Sequence, residues 1–153
     1  MKLNKEDICI RRLAPKEALK AAELEAECFS MPWSCAAFEK LAGEKGSICL
    51  AVFLKEQLIG CCSVMNLAGD GEINNVAVRE AYRGQGIASA MLLELIRQGE
   101  EMGIADFTLE VRKSNAAAIH LYEKAGFRSE GIRPGFYDKP KEDAVIMWRR
   151  RSQ

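Results

Sequence analysis

Asn74–Ile96 reads NNVAVREAYRGQGIASAMLLELI, and this stretch decides the fold. Ile73 to Val78 is apolar and β-branched enough to lie inside a sheet. Arg83-Gly84-Gln85-Gly86 is a tight glycine turn. A long helix follows to about Met102, with Ala88, Met91, Leu92, Leu95 and Ile96 on one stripe at helical spacing. Gly84 and Gly86 lack a Cβ, so the backbone there can take positive φ and approach a ligand closely. The first turn of a helix leaves about four N–H groups without intrahelical partners, and the helix dipole adds partial positive charge at that end. Together these features suit a phosphate or pyrophosphate, with Arg83 as a further cation. A glycine-eased strand-to-helix connection with no ligand would use the same two glycines.

The rest of the chain sets bounds. Its 153 residues fit the size of one domain, expected over 1–153, and bury roughly 70% of the unfolded surface without staples. Lys and Arg total 22, as do Asp and Glu, so bulk charge gives no reason to expect nucleic-acid binding. No apolar run is long enough to span a membrane. The N-terminal MKLNKEDICIRR lacks the apolar core of a signal peptide, so the expected location is the cytoplasm. Six cysteines include no C-x-x-C pair, and His120 is the one histidine, so no metal site is expected. Cys9, Cys49, Cys61 and Cys62 fall in apolar runs and read as small buried hydrophobes.

In chain order, Ile8 to Leu13 is a strand. Pro15 opens a helix reaching about Cys28, supported by Leu19, Ala22, Leu24, Ala26 and Phe29. FSMPWS (29–34) breaks it at Pro32, and Ser34 caps a second helix, Cys35 to Ala42. Ser47 to Leu54 and Leu58 to Met65 form a hairpin leading to the strand at 73–78. Asp106 to Arg112 alternates, with Phe107, Leu109 and Val111 on one side and Thr108, Glu110 and Arg112 on the other. Ser114 is placed to cap a helix from Asn115 to Lys124, and Gly126 to end it. Phe127 to Tyr137 and Ala144 to Arg150 make a last hairpin. The order β-αα-βββ-α-β-α-ββ is an α/β arrangement, a mixed, mostly antiparallel sheet with helices on its faces.

LEVRKSNAAAIHLYEKAGF (109–127) is the second informative stretch. Asn115, Ala118, Ile119 and Tyr122 share one helix face. Three alanines, 116–118, allow close approach to it. On pattern alone this is also an amphipathic helix with Tyr122 at the edge of a core, and Glu110 a sheet carboxylate paired with Arg112 or Lys113.

Arg83-x-x-Gly86-x-Ala88 after a VAV strand resembles the acyl-CoA pyrophosphate signature of the GNAT N-acetyltransferase superfamily, Q/R-x-x-G-x-G/A. It is neither a dinucleotide fingerprint nor a P-loop. The segment LEVRKSNAAAIHLYEKAGF, together with MPWS, NNVAV and EDAVIM (142–147), is similar to the RimI family of ribosomal-protein-alanine acetyltransferases. The resemblance covers essentially the whole chain and implies the GNAT fold, acetyl-CoA as co-substrate and no metal. It implies coenzyme contacts at Val76, Ala77, Val78, Arg83, Gly84, Gln85, Gly86, Ile87, Ala88, Ser89 and Asn115. Glu110 is the implied base and Tyr122 the implied acid. A peptide groove is implied at Met31, Pro32, Trp33, Ser34 and Tyr137. The implied partner is a protein N-terminus, by family analogy the N-terminal alanine of small-subunit ribosomal protein eighteen.

The chemistry is consistent with these types. A glutamate of free pKa about 4.3 works better as a base if burial raises it, and a tyrosine near 10 can protonate a departing thiolate near 8.5. Backbone N–H groups at Val76 to Val78 can hold the thioester oxygen if a bulge splays the strand. Glu72 on the same strand is a rival base. An α-amine has a free-base fraction several hundred-fold larger, roughly, than lysine at neutral pH, so a weak base suffices. A small-molecule amine acetyltransferase, a non-catalytic acyl-CoA-binding module and a cysteine nucleophile at Cys61 or Cys62 stand as alternatives.

Overall fold

The computed structural model describes residues 2–151. Seven strands form one sheet in the order β1-β2-β3-β4-β5-β7-β6. They are β1 (Ile8–Arg12), β2 (Ser47–Leu54), β3 (Gln57–Leu67), β4 (Asp70–Val78), β5 (Asp106–Arg112), β6 (Arg128–Tyr137) and β7 (Glu142–Arg149). Among the described residues four α-helices flank the sheet: α1 (Ala18–Cys28), α2 (Cys35–Gly43), α3 (Ile87–Glu101) and α4 (Ala116–Lys124). The element order is the one expected from sequence. Every sheet pairing is antiparallel except β4 with β5.

Both faces of the sheet are covered, which is why β2 and β3 read as continuous apolar runs. Ile48, Leu50 and Val52 pack with Met91, Leu92 and Leu95 of α3. Cys49, Ala51 and Phe53 point the other way, into a core with Leu24 of α1 and Phe38 and Leu41 of α2. The alternation anticipated for β5 is observed, with Phe107, Leu109 and Val111 inward.

Three expectations are corrected. The buried face of α1 is Ala18, Ala21, Leu24 and Glu25, whereas Leu19 is 59% and Phe29 40% exposed. Several stripes on an alanine-rich helix look alike until the facing sheet selects one. Cys9 is exposed, because the neighbouring Ile8 and Ile10 take the inward side of edge strand β1; Cys49, Cys61 and Cys62 are buried as expected. Asn115, not Ser114, caps α4, its Oδ1 accepting the Ala118 N–H at 3.1 Å.

Two irregularities of β4 shape the cleft beside it. Its parallel pairing with β5 covers only Asp70–Asp106, Gly71–Phe107 and Glu72–Thr108. Farther along, Cys61 pairs with Ala77 and Ser63 with Asn74, so Asn75 and Val76 bulge opposite Cys62. Asn75 takes φ 62° there, a conformation that asparagine tolerates better than most residues with a side chain.

Gly71 occupies a tightly packed step one pair before the strands part. A Cβ there would stand 2.9 Å from methyl groups of Ile104 and Val64 and 3.0 Å from Phe107. Gly71→Ala is expected to lower stability by about 1–3 kcal/mol through overpacking, read as a fall in urea midpoint at unchanged slope; an unchanged midpoint would show that these side chains yield freely.

Candidate active site

A cleft opens where β4 and β5 part, and it has two halves. One half, about 530 Å³, is lined by Glu25, Trp33, Asn75, Glu110, Phe136 and Tyr137 among others. The other, about 550 Å³, runs along the glycine turn and the start of α3, facing α4. Cys28, Phe29, Val76, Asn115, Ala118 and Tyr122 border both, so the halves meet at a neck between the β4 bulge and α4.

The glycine turn behaves as its composition requires. Gly84 has φ 76° and Gly86 φ 82°. A Cβ added at either would meet nothing within 4 Å, so this backbone faces open space. Gly86 is the N-cap of α3 and supplies no side-chain cap, which leaves the first amides of the helix for an external anion. Arg83 turns its Nε to the Val78 carbonyl at 2.9 Å and its Nη2 to the Cys28 sulfur at 3.5 Å, which places its charge on the wall of this half. An open glycine turn, free helix amides and a cation fit the pyrophosphate of an acyl-CoA.

Val76, Ala77, Val78, Arg83, Gly84, Gly86, Ile87, Ala88, Ser89 and Asn115 all line the coenzyme-sized half. Gln85 does not; its Oε1 accepts the Leu3 N–H at 2.8 Å instead. Met31, Trp33 and Tyr137 line the other half. Pro32 and Ser34 stand off its wall, and the Ser34 hydroxyl caps α2 by accepting from the Ala37 N–H. Their proximity in sequence to Met31 and Trp33 did not carry them into the cleft.

Of the two candidate chemical groups, Tyr122 borders the neck itself and Glu110 lines the first half beside it. Glu110 projects from β5 and is half-buried. Burial pushes its pKa up, the nearby Arg133 pulls it down, and the charge of Glu72 raises it again. Glu72 is itself half-buried and accepts from Asn74 Nδ2 at 3.3 Å, but it does not line the cleft. Tyr122 is 7% exposed, its ring edge-on to Phe127 with centroids 5.9 Å apart. Burial pushes its phenol well above the ordinary range, so it stays protonated through neutral pH. Tyr137 is pushed up to about 12, first by burial and then by the Glu110 charge. The Arg112 guanidinium lies over its ring at 4.5 Å.

Sequence reasoning missed Glu25. This carboxylate is 5% exposed and accepts from Asn75 Nδ2 at 3.0 and 2.9 Å and from the Trp33 N–H at 3.3 Å. The available signal was its place on the helix, four residues after Ala21 and seven after Ala18, a charge on an apolar stripe. Cys61 and Cys62 are buried, and their thiols are held well above the usual range, Cys61 chiefly by its contact with Cys49 and Cys62 by burial. Neither suits a nucleophile. Among the described residues no cluster of His, Cys, Asp or Glu is arranged to hold a metal.

The raised Glu110 pKa has a consequence for stability. A carboxyl whose folded pKa lies above its unfolded one stabilises the fold at low pH and loses that contribution as pH rises through the folded value. Glu110→Gln is therefore expected to raise the thermal midpoint at pH 7, with the gain vanishing below about pH 3, where both states hold the proton. Equal midpoints for both proteins at both pH values would show that Glu110 is not strained by burial.

Residues 18–127 match the Acetyltransferase (GNAT) family. The [ribosomal protein bS18]-alanine N-acetyltransferase of Haemophilus influenzae is 34% identical over 128 residues, covering 82% of this chain and 86% of that protein. Its Escherichia coli K12 counterpart is 34% identical over 129 residues, covering 83% and 86%. The crystal structure of the ribosomal-protein-S18-alanine N-acetyltransferase from Escherichia coli superposes with a TM-score of 0.87 at 30% identity, covering 95% of each chain. With the parted strands, the bulge and the glycine turn already in place, these likenesses settle the lineage: the chain belongs to the GNAT acetyltransferase family.

Proposed function

We propose that this protein moves the acetyl group of acetyl-CoA directly onto the free α-amine of a protein N-terminus, with the N-terminal alanine of ribosomal protein bS18 as the leading substrate. The observation that carries this reading is the two-part cleft. A half shaped for the coenzyme meets, at one neck, a second half with a carboxylate inside and aromatic side chains at its rim. The relatives named for the bS18 reaction match most of the chain.

Acetyl-CoA supplies an acetyl group as a reactive thioester. In the proposed chemistry the open amides of the glycine turn, with Arg83, hold its pyrophosphate. The N–H groups freed at the β4 bulge hold the carbonyl oxygen as it gains negative charge. Glu110, directly or through a water, takes a proton from the α-ammonium, and the nitrogen forms its bond to the carbonyl carbon. The carbon–sulfur bond breaks as Tyr122 delivers its proton to the sulfur; the second proton, shed by the nitrogen once it is bonded to carbon, returns to Tyr122 through solvent, and Glu110 releases the first to solvent. Burial holds Tyr122 protonated, and the same dry surroundings make the thiolate more basic. Glu110 lines the cleft and Glu72 does not, which supports Glu110 as the base. The Asn115 side-chain carbonyl caps α4, and in this reading its amide faces the coenzyme arm at the neck.

Tyr122→Phe is expected to keep coenzyme affinity while turnover falls about a hundredfold or more, measured by coenzyme titration beside steady-state kinetics; wild-type turnover would remove Tyr122 from the chemistry. The substrate class is tested with two short peptides, one with a free N-terminal alanine and one blocked there but containing lysine, the acetyl group located by mass spectrometry. Acetylation confined to the free α-amine is the expected result. Modification of lysine, or of neither peptide with coenzyme still bound, would overturn the N-terminal reading and point to a small amine.

A further inference from the structure

A buried chain of hydrogen bonds joins four separate segments beside the neck. Glu25 comes from α1, Trp33 from the segment before α2, Asn75 from the β4 bulge and Ser63 from β3. Ser63 Oγ lies 2.7 Å from Asn75 Oδ1 and 3.2 Å from the Asn74 carbonyl. Asn75 Nδ2 donates to both oxygens of Glu25, at 3.0 and 2.9 Å. The Trp33 backbone N–H donates to Glu25 Oε1 at 3.3 Å.

The polarity of this chain is fixed. An ionised carboxylate only accepts, so the amide nitrogen of Asn75 must face Glu25 and its oxygen must face the Ser63 hydroxyl. The arrangement is also costly. A buried carboxylate costs desolvation, and the neighbouring positions of that helix face are Ala18, Ala21 and Leu24. Asn75 holds a left-handed backbone at φ 62°, a strained conformation for a residue with a Cβ. Both costs fall on one contact, and that contact pins the bulge.

We infer that Glu25 is a positioning residue for acetyl transfer: through Asn75 it holds the β4 bulge in shape, and through the Trp33 amide it ties the bulge to the segment that lines the amine half of the cleft. This rests on the proposed role of the bulge amides as the cradle for the carbonyl oxygen. Glu25 does not itself touch the reacting atoms. It sets the direction of the Val76 and Ala77 N–H groups, and it makes the wall that receives the amine and the wall that holds the oxygen one rigid piece.

Three variants test the tie. Asn75→Asp sets a carboxylate against Glu25. Asn75→Gly removes the side chain while keeping a residue at ease with positive φ. The double variant Glu25→Gln with Asn75→Asp exchanges donor and acceptor, keeps the charge and keeps one hydrogen bond at each of the three links. The new amide at position 25 donates to the new carboxylate at position 75, the Ser63 hydroxyl donates to that same carboxylate, and the Trp33 N–H donates to the oxygen of the new amide.

Two readouts are taken together, kcat with a free-α-amine peptide and amide hydrogen exchange across residues 73–78. Both single variants are expected to lower kcat at least about tenfold, to leave coenzyme affinity unchanged and to speed exchange at the bulge. The double variant is expected to restore both. The inference is overturned if Asn75→Gly turns over and exchanges like wild type, or if the double variant stays slow in turnover and fast in exchange. Fast exchange with wild-type turnover overturns it as well, and takes the bulge amides out of the chemistry. If wild-type protein acetylates no α-amine, the functional reading fails by itself, and the exchange data still decide whether Glu25 pins the bulge.

Discussion

Strands β4 and β5 are held together by three residue pairs, Asp70–Asp106 to Glu72–Thr108, and beyond them each keeps only the neighbour on its other edge. β5 goes on with β7, while β4 goes on with β3 as far as Val78. Backbone donors and acceptors that face the gap cannot pair across it, and buried ones must find other partners. A thioester and a pantetheine arm offer the polar groups such strands lack. The gap also sets spacing: Glu110 lies on one diverging edge and the bulge of β4 on the other, with Tyr122 reaching in from α4 between them. The tight packing around Gly71 and Phe107 closes the gap at its base, so the strands diverge from a fixed point.

The half proposed for the amine is lined by two carboxylates, Glu25 and Glu110, and two cations, Arg112 and Lys139. The charge of Glu72 reaches Glu110. Burial raises the pKa of Glu25 as it does that of Glu110, against the lowering effect of its hydrogen bonds from Asn75 and Trp33. These carboxylates contribute little to folding, since a buried charge is held only by good partners. Arg112 lies over the Tyr137 ring and is bridged to Glu142, and Arg133 is within reach of Glu110.

Much of this was legible in the chain, because the legible parts are local. The glycine turn requires positive φ wherever it occurs, and Gly84 and Gly86 supply it. The alternation of β5 placed Glu110 away from the core at its own position, and the spacing of α4 placed Asn115, Ala118 and Tyr122 on one face. What sequence did not reveal depends on partners far along the chain. Glu25 is fifty positions from Asn75, and nothing near it announces burial except its place on an apolar stripe. Gln85 sits inside the most informative motif, yet its side chain is drawn away by Leu3. Ser114 and Asn115 are both good caps, and only the path of the backbone after β5 chooses between them.

The two halves of the cleft share a neck but not an entrance. The coenzyme half is bounded by the glycine turn, α3 and α4; the amine half by the 29–34 segment and the β6–β7 hairpin. Under the proposed reaction, molecules arriving from the two ends would not block one another, and spent coenzyme would be free to depart with the acetylated chain still in place. Any strict sequence of arrivals and departures must therefore come from motion of the walls. Such motion would act through residues bordering both sides, Val76 and Tyr122 above all, where a shift made for one visitor is felt by the other.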